Sequence, residues 1–507
     1  MIHRLRPAVL LFVVAAWLVA GSAPTRAEVS LPTSVAPSPT EQGSIFSPGV
    51  RLTEDLPRPY VEEEFIVQGR ATIHIYAHDP PHGPADTKPL IPNLPYTTRI
   101  IVRRPADPAA FKGTVVVEWW NSTAGFDTAP VWDPSAEFFA RSGYVYVGFT
   151  NAKNTIDFLV AGCPRLGFLA PECGTRYAGL GIYDNGMAYD IGNAIAKLLK
   201  SDSDQNPLPA EYQVERVFHA GESQQAGSII TFASAFHADH NDGYFVQSGI
   251  NARKISGFSH IDLAQADRRV RTDLPVPVYQ LITQTDFEVL GFGTAARQTD
   301  TSTYRYYEVP GGSHSTVHKD IEVLPAGLFT EDAVFLEDLC GFPLNTTADG
   351  PVFVSHVLNA LWAAMDRQAR RGVPPPSGRQ MDTIGDELVF DVLGNPTGGV
   401  RVPAVEVPLA KYISGNVAAE SLPQFLAFIG GLACGLSGSV EAFDEETLDS
   451  LYPSHHRYVR DVLRAVHKLW RDRLLLPHDA WAIAWEALIS DVGERRPRHW
   501  RWRRHRD

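Results

Sequence analysis

The segment 221–227, with the sequence GESQQAG, constrains the fold of this chain more than any other stretch. Residues 217–220 before it predict a buried strand, and residues 228–236 after it have the pattern of a helix that faces a core. Ser223 is therefore expected in a sharp turn between a strand and a helix, where the helix N-terminus favours negative charge. This context predicts a nucleophile, and a helix N-cap is the alternative role of this serine.

The partners that a serine nucleophile needs follow the next two predicted strands. Asp286 comes after the mainly apolar run 276–282, and His314 comes after the run 304–309 in a Gly-Gly-Ser-His loop. A serine hydroxyl is a weak nucleophile at neutral pH unless a base takes its proton and an acid orients that base. The chain order serine, acid, histidine predicts Ser223, Asp286 and His314 as a catalytic triad.

Other ionisable residues compete for these roles. Glu288 is the alternative acid, because it lies two residues further along the same extended segment. His318 is the alternative base, although it lies beyond the Gly-rich loop and is more typical of a surface residue. Glu222 either lines the site or is a solvated loop acid, and His219 is expected to pack in the core.

Acyl transfer also requires hydrogen-bond donors for the oxyanion. We expect one donor from the backbone N–H of Gln224 and a second from the backbone around Asn121 and Ser122, after the strand 115–118. Aromatic residues of this region either line an apolar acyl or aryl pocket or are ordinary core residues: Trp119, Trp120, Phe126 and Trp132.

No metal or organic cofactor is expected. His74, His78 and His82 are spaced four residues apart, but Pro80 and Pro81 exclude a helix, so this spacing does not predict a metal site. The cysteines also lack metal-ligand spacing.

The four cysteines suggest disulfide bonds, which persist in exported proteins. Three pairings are possible. We favour Cys163–Cys173, which closes a local loop rich in Pro and Gly, together with Cys340–Cys434, which cross-links the C-terminal part. Free buried thiols are the alternative.

Residues 1–27 have the pattern of a secretory signal peptide. Arg4 and Arg6 precede the uncharged apolar run 8–20, and small residues on either side of Arg26 favour cleavage before Glu28. An uncleaved membrane anchor is the alternative, but the apolar run is short for a span. No later segment is long and apolar enough to cross a bilayer, so we expect an exported protein, either periplasmic or secreted.

The acidic balance of the chain argues against nucleic acid as a general partner. The formal net charge is −13, and removal of the signal peptide, with three Arg and no acidic residue, changes it to −16. Residues 493–507 are the exception, because seven Arg alternate there with Trp and His. A disordered tail is the favoured interpretation, and contact with a membrane surface or an acidic polymer is the alternative.

The order of predicted elements indicates an α/β fold. Strands at 64–67, 71–76 and 97–102 alternate with a period of two and are expected to be antiparallel. The runs 113–120 and 143–149 are apolar almost throughout, as strands buried on both faces of a parallel sheet are. Strands that alternate with helices further along predict a mostly parallel central sheet flanked by helices.

We expect a flexible lead-in over residues 28–50, a core over 51–340 and a mainly helical extension over 341–492 that packs on the core. The extension contains these helix candidates: 356–371, 445–473 with a break near Pro453, and 479–490. An independent C-terminal domain is the alternative.

The chain resembles a family of mostly bacterial proteins known as alpha/beta hydrolase domain-containing proteins. The resemblance extends over about residues 55–490 and rests on these segments: 117–119 with Asn121, 189–191, 221–224, 242–244, 284–286, 296–300 and 309–314. It implies an α/β-hydrolase fold and a serine hydrolase with Ser223, Asp286 and His314 in the triad. The chain departs at Gln225, where most α/β-hydrolases have Gly and this family more often has Ser, and at Gln284, where the family tends to have an acid.

These observations predict an exported serine hydrolase that cleaves carboxylic esters through an acyl-enzyme. The expected substrate is a small-molecule or lipid-like ester. An amidase or peptidase on the same scaffold is one alternative, and an exported binding protein without catalysis is another.

Overall fold

The computed structural model describes residues 29–49, 53–164, 173–260, 263–315, 322–324, 334–335, 337–345, 354–420 and 424–494. The predicted signal peptide, the Arg-rich residues 495–507 and the alternative base His318 lie outside the described residues. Within the described part of the chain, no helix combines the length and the apolar character that crossing a bilayer requires.

One large sheet contains β1 (Ser34–Pro37), β2 (Tyr60–Tyr76), β3 (Thr87–Pro105), β4 (Thr114–Trp119), β5 (Val145–Phe149), β6 (Arg216–Glu222), β7 (Gly243–Gln247), β8 (Val278–Thr283) and β9 (Tyr304–Val309). Their spatial order is β1-β2-β3-β5-β4-β6-β7-β8-β9. The pairs β1–β2, β2–β3 and β3–β5 are antiparallel, and the other pairs are parallel. This topology confirms the predicted mostly parallel sheet with an antiparallel N-terminal portion.

The described α-helices are α1 (Trp132–Ser142), α2 (Lys153–Val160), α3 (Ala188–Leu199), α4 (Gln224–Phe236), α5 (Gln284–Glu288), α6 (Val354–Arg371), α7 (Pro403–Glu406), α8 (Gln424–Ser437), α9 (Glu445–Leu451), α10 (His455–Arg471) and α11 (Pro477–Ile489). Short antiparallel pairs join β10 (Glu322–Leu324) with β11 (Val334–Phe335), β12 (Thr383–Ile384) with β13 (Glu387–Leu388), and β14 (Ala410–Ile413) with β15 (Ser439–Ala442).

The sheet separates two hydrophobic cores, because successive side chains of a strand point to opposite faces. In β4, Val115 and Val117 join the core that α3 and α4 cover. Val116, between them, joins the core that α1 and α6 cover. Both faces of the central strands are therefore buried, which explains why their sequences are apolar almost throughout.

The C-terminal helices share the second core with the sheet. Trp362 of α6 makes edge-on ring contacts with Phe139 of α1 and Phe245 of β7, at centroid distances of 5.5 and 4.7 Å. The segment after α6 also follows the outer edge of the sheet, where the backbone N–H of Glu308 in β9 donates to the carbonyl of Arg379. This contact covers an edge strand that would otherwise expose unpaired backbone groups.

The prediction of a flexible lead-in over residues 28–50 is wrong for the described part of that segment. β1 pairs with β2, and Phe46 is buried with its backbone N–H donating to the hydroxyl of Tyr177 at 3.0 Å. The Pro- and Ser-rich composition suggested a loose segment. An edge strand tolerates Pro, however, because one side of it forms no ladder bonds.

Two disulfide bonds join the cysteine pairs that the sequence favoured. Cys163 bonds to Cys173 and Cys340 bonds to Cys434, with Cα–Cα distances of 5.4 and 5.5 Å. The second bond links α8 to the segment that precedes α6.

Candidate active site

Ser223 alone makes the turn between β6, which ends at Glu222, and α4, which begins at Gln224. Its φ of 55° and ψ of −114° lie outside the regions that residues with a side chain usually adopt. The turn also needs Gly221, because a Cβ there would lie 2.6 Å from the carbonyl oxygen of Gln225. The strained strand–turn–helix geometry is that of a nucleophile elbow.

The imidazole of His314 lies between Ser223 and Asp286. Its Nε2 is 2.9 Å from Ser223 Oγ, and its Nδ1 is 2.5 Å from Asp286 Oδ1. Asp286 is fully buried and His314 is nearly so, and a low-dielectric setting strengthens such hydrogen bonds. The structure thus brings together the three residues that the chain order selected.

The start of α5 fixes the Asp286 carboxylate from its other side. Asp286 Oδ2 accepts from the backbone N–H of Thr283 at 2.7 Å, and Thr283 Oγ1 accepts from the backbone N–H of Asp286 at 3.2 Å. This reciprocal arrangement is a capping box. Glu288, the alternative acid, is exposed and accepts from Gln284 Nε2 at 2.9 Å. Asp286, and not Glu288, therefore faces the imidazole.

Hydrogen bonds from three parts of the chain brace the loop that carries the imidazole. Gln284 Oε1 accepts from the backbone N–H of Gly311 at 2.8 Å. The backbone N–H of Ser315 donates to the carbonyl of Leu436, near the end of α8, at 2.8 Å. The side chain of Asn345 donates to the carbonyl of Gly311. Gln284, at a position where the family tends to have an acid, thus provides a neutral hydrogen-bond acceptor for this loop.

A second carboxylate reaches the imidazole. Glu222 Oε1 lies 3.2 Å from His314 Nε2, and Glu222 Oε2 accepts from Asn121 Nδ2 at 3.2 Å. Burial raises the pKa of Glu222 to about 7, and the nearby imidazole opposes that rise. Burial also acts to lower the pKa of His314, but the Glu222 and Asp286 carboxylates outweigh it and raise that pKa to about 9. From the sequence, Glu222 was only a candidate lining residue, and its contact with the imidazole of His314 was missed.

The backbone N–H groups expected to bind the oxyanion differ in whether they already donate a hydrogen bond. Gln224 is the first residue of α4, so its backbone N–H has no acceptor within the helix. The backbone N–H of Asn121 donates to the carbonyl of Thr128 at 3.0 Å. Ser122 donates to Gln224 Oε1 from both its backbone N–H and its hydroxyl, at 3.0 and 2.7 Å. The N–H of Asn121 is thus bonded to backbone, whereas the N–H of Ser122 is bonded to the side chain of Gln224, which an oxyanion can displace.

Glu118, at the end of β4, holds the loop that contains these donors. Its fully buried carboxylate accepts from the backbone N–H groups of Val131 and Trp132 at the start of α1, both at 2.9 Å. It also accepts from the hydroxyl of Tyr146 at 2.7 Å. Burial raises the pKa of Glu118 to about 8, although these hydrogen bonds oppose the rise.

The aromatic residues near the loop belong mainly to the cores. Trp120 is fully buried, and its Nε1 donates to the hydroxyl of Tyr146 at 2.9 Å. Phe126 makes an edge-on contact with Phe46 at a centroid distance of 5.9 Å, and Trp132 is also fully buried. Trp119 differs, because it lies on the other face of β4 and borders a cavity of about 290 Å³. Other residues that line this cavity include Asn151, Tyr189, Gln225, Ser228 and Arg253.

His219 is a core histidine, as expected. Trp119 Nε1 donates to its Nδ1 at 3.2 Å, and its Nε2 lies 3.0 Å from Asn241 Oδ1. Burial lowers the pKa of His219 to about 3, so the ring is neutral at physiological pH.

Three potential metal ligands meet at the turn between β2 and β3, although the sequence spacing did not predict a site there. His78 Nδ1 lies 2.9 Å from Asp86, and His82 Nδ1 lies 4.0 Å from it. The two imidazole rings are stacked, with centroids 4.0 Å apart and planes 20° apart. An ion bound by two imidazoles lies near the plane of each ring, so these rings must turn before they can share one ion.

Comparison with protein families identifies the class to which this fold and site belong. A family model described as an alpha/beta hydrolase domain matches residues 32–484. The chain therefore belongs to this family of alpha/beta hydrolase domains, and its fold is the α/β-hydrolase fold. A search of curated proteins gives no match.

Several solved structures match the chain at low sequence identity. A putative dienelactone hydrolase from Klebsiella pneumoniae is 12% identical, with 49% of this chain and 86% of that chain covered and a TM-score of 0.24. An α/β serine hydrolase without lid from Xanthomonas campestris is 14% identical, with 48% and 86% covered and a TM-score of 0.25. An α/β serine hydrolase homologue from Coxiella burnetii is 14% identical, with 43% and 85% covered and a TM-score of 0.26. At this level these similarities carry no argument about substrate.

Proposed function

We propose that this protein is an exported serine hydrolase that cleaves carboxylic esters through an acyl-enzyme intermediate. The observation that carries the proposal is the 2.9 Å contact between Ser223 Oγ and His314 Nε2, together with the contact between His314 Nδ1 and Asp286. A base within hydrogen-bond distance of a strained serine is the arrangement that activates a hydroxyl nucleophile. Two disulfide bonds support export to an oxidising compartment.

In the acylation step, Ser223 Oγ attacks the ester carbonyl carbon while His314 Nε2 takes the hydroxyl proton. The carbonyl oxygen becomes the oxyanion of a tetrahedral intermediate, and Asp286 stabilises the imidazolium. When the intermediate collapses, the bond to the leaving oxygen breaks and the alcohol departs with the proton from His314. A water molecule then repeats the sequence on the acyl-enzyme and releases the carboxylic acid.

The oxyanion is proposed to bind the backbone N–H groups of Gln224 and Ser122. The Ser122 donors are engaged by Gln224 Oε1 in the structure described here, so an incoming oxyanion replaces a neutral amide oxygen as their acceptor. Hydrogen bonds to a charged acceptor are roughly twice as strong as those to a neutral one. The exchange therefore favours the transition state over the free enzyme.

Esters are the proposed substrates rather than amides, because an alkoxide leaving group demands less help from protonation than an amine. The aromatic and polar lining of the cavity beside Trp119 is suited to a small organic group.

Labelling by a fluorophosphonate probe tests the proposal. The purified protein is expected to react stoichiometrically and to hydrolyse p-nitrophenyl esters, and Ser223→Ala is expected to lose both properties. Ser234→Ala, which removes a serine hydroxyl near the end of α4 and outside the lining of that cavity, is the matched control and is expected to retain labelling.

Three results would count against the proposal. Labelling or esterase activity that persists in Ser223→Ala would exclude this serine as the nucleophile. Turnover of amides but not of esters would replace the proposed specificity with an amidase or peptidase. The absence of labelling and of all turnover would favour a binding protein on a hydrolase fold.

A further inference from the structure

The cavity beside Trp119 is lined by two basic residues and, among the described residues, by no acidic one. Arg253 is half-buried and Lys254 is exposed, and both follow β7 in the chain. Neither of them forms an ion pair with another described residue. The chain as a whole has a formal net charge of −13, so a cavity wall with uncompensated positive charge is unlike the rest of the protein. Such a wall attracts anionic ligands.

Asp184 is an acidic residue close to this wall, but backbone groups engage its carboxylate. The carboxylate accepts from the N–H groups of Gly186 and Gly257 at 2.7 and 3.1 Å. The charge of Arg253 acts instead on Tyr189, another lining residue. Burial raises the pKa of Tyr189 to about 12, and the positive charge of Arg253 opposes that rise. Within the described residues, the guanidinium of Arg253 therefore borders the cavity without a carboxylate partner.

Two side chains of α4 also leave polar groups unused at the cavity. The hydroxyl of Ser228 forms no hydrogen bond with another described residue. Gln225 Oε1 is buried and has no donor within the described residues. Buried polar atoms without a partner are rare in proteins. Together with Arg253, this wall offers hydrogen-bond donors and one acceptor that a bound group can satisfy.

The same wall is connected to the proposed oxyanion site. Gln225 Nε2 lies 3.4 Å from Gln224 Oε1, and that oxygen accepts from the backbone N–H of Ser122 at 3.0 Å. In the proposed reaction the leaving oxygen must face His314 to receive its proton, so the acyl part points away from the imidazole. The described residues that line the cavity include neither His314 nor its carboxylate partners. The cavity is therefore placed to receive the acyl part.

We propose that the cavity binds a carboxylate at the far end of the acyl part, so that the substrate is a monoester of a dicarboxylic acid. The planar guanidinium of Arg253 binds the carboxylate, Ser228 donates to it, and Lys254 adds positive charge. A cavity of about 290 Å³ is of the size for a short acyl chain. A phosphate dianion would need more than one half-buried cation to offset its charge. This inference rests on the proposed function, since it names the acyl part of the ester cleaved at Ser223.

Two p-nitrophenyl esters that differ only at the end of the acyl chain test the proposal. The monoester of adipic acid ends in a carboxylate, and the ester of adipamic acid has the same shape but ends in a neutral amide. The parent protein is expected to hydrolyse the carboxylate ester with a kcat/KM at least about tenfold higher, after correction for spontaneous hydrolysis. Arg253→Gln is expected to remove most of this preference. Arg253→Lys is expected to retain part of it, because it keeps the charge but not the planar fork.

Arg271→Gln is the matched control for the change in charge. Arg271 pairs with Asp273 at 2.9 Å near the surface and is not among the residues that line the cavity. The substitution removes one positive charge, as Arg253→Gln does, and is expected to leave the ratio of the two kcat/KM values unchanged. The unfolding midpoint of each variant checks that the fold is intact.

Binding to Ser223→Ala separates this inference from the proposed function, because binding needs no turnover. Isothermal titration calorimetry is expected to give an affinity at least about tenfold higher for the carboxylate ester than for the amide ester. Arg253→Gln, added to Ser223→Ala, is expected to remove this difference. If the parent protein hydrolyses neither ester but the difference in affinity is found, the proposed hydrolysis is wrong and the carboxylate site is supported.

Four results would overturn the proposal. Equal kcat/KM values for the two esters would exclude recognition of the charge. A preference for the carboxylate ester that persists in Arg253→Gln would place the carboxylate outside this cavity. A preference for the amide ester would assign the cavity to a neutral polar group, with Gln225 Oε1 as its acceptor. The absence of turnover, together with equal or undetectable binding of both esters to Ser223→Ala, would exclude a site for either group.

Discussion

Glu222 precedes the proposed nucleophile and shares the imidazole of His314 with Asp286. A carboxylate near each imidazole nitrogen stabilises the protonated ring, which is why the pKa of His314 is raised to about 9. In the proposed reaction only the neutral ring can accept the Ser223 proton. Glu222 therefore has two opposed effects, since it reduces the fraction of free base and stabilises the imidazolium that forms in the transition state.

Glu222→Gln is predicted to move the pH profile of kcat/KM. In the parent protein, kcat/KM is expected to rise with pH into the alkaline range, up to the pKa of His314 near 9. Removal of one negative charge lowers the pKa of the imidazole, so the rise should occur at a pH lower by about one unit or more. The plateau should also fall, because the imidazolium loses a stabilising partner. The measurement is the pH dependence of ester hydrolysis, corrected for the spontaneous reaction.

Glu288→Gln is the control for this prediction. Glu288 is exposed and bonded to Gln284, so its removal should leave the profile in place. An unshifted profile in Glu222→Gln would show that its carboxylate does not act on the imidazole.

Part of the site could be predicted from the sequence. Ser223, Asp286 and His314 each follow a strand of one parallel sheet, and parallel strands place such residues at a common edge, so chain order was enough to select them. The contact between Glu222 and His314 depends on the side-chain direction at a strained turn. The bonds between Gln224 and Ser122 join residues 102 positions apart. Neither of these contacts produces a periodic signal in the sequence, so neither could be predicted from it.

At the level of elements, the proposed base depends on helix α8. The carbonyl of Leu436 in α8 accepts from Ser315, directly after His314, and the Cys340–Cys434 bond joins α8 to the segment that carries Asn345. Both segments contact the loop of the imidazole. The second disulfide is therefore placed to hold two braces of this loop together.

Replacement of Cys340 and Cys434 by Ser is predicted to lower kcat at least about tenfold, because a loosened loop misplaces the base relative to Ser223. The same change at Cys163 and Cys173 is the matched control and should affect kcat less than about threefold. Both variants lose a cross-link, so the kinetics are measured well below the lower of the two melting temperatures. Equal losses of kcat in the two variants would contradict the proposed link between this disulfide and the loop.

Most long elements were predicted from the sequence, and short or atypical ones were not. The expected helix 356–371 matches α6 closely, because its amphipathic pattern is long. β1 was missed because it contains Pro, and β7 because its apolar run is only three residues long, Tyr244–Val246. α8 was missed because it is apolar with two adjacent Gly, a composition that hides helical periodicity.

On the scale of the whole molecule, a buried ion network joins the N-terminal hairpin to the loop of Ser122. Arg99 of β3 is fully buried, and its guanidinium lies 2.8 Å from Glu64 of β2 and 3.0 Å from Asp127. Arg176 lies 2.9 Å from the other oxygen of Glu64. Burial acts to raise the pKa of Glu64, but the Arg99 charge and hydrogen bonds outweigh it and lower that pKa.

Arg99→Met is predicted to destabilise the protein by about 3–5 kcal/mol, because it leaves two buried carboxylates without their shared partner. Arg104→Met is the matched control. Arg104 is also on β3, but its partner Glu63 is half-exposed, so the expected loss is about 1 kcal/mol or less. Urea unfolding followed by tryptophan fluorescence measures both values.

The lowered pKa of Glu64 means that its contribution to stability is present above its ordinary titration range and is lost as the pH falls. The difference in the free energy of unfolding between Arg99→Met and Arg104→Met should therefore become smaller at acidic pH. Equal losses of stability in the two variants at neutral pH would contradict a structural role for the network.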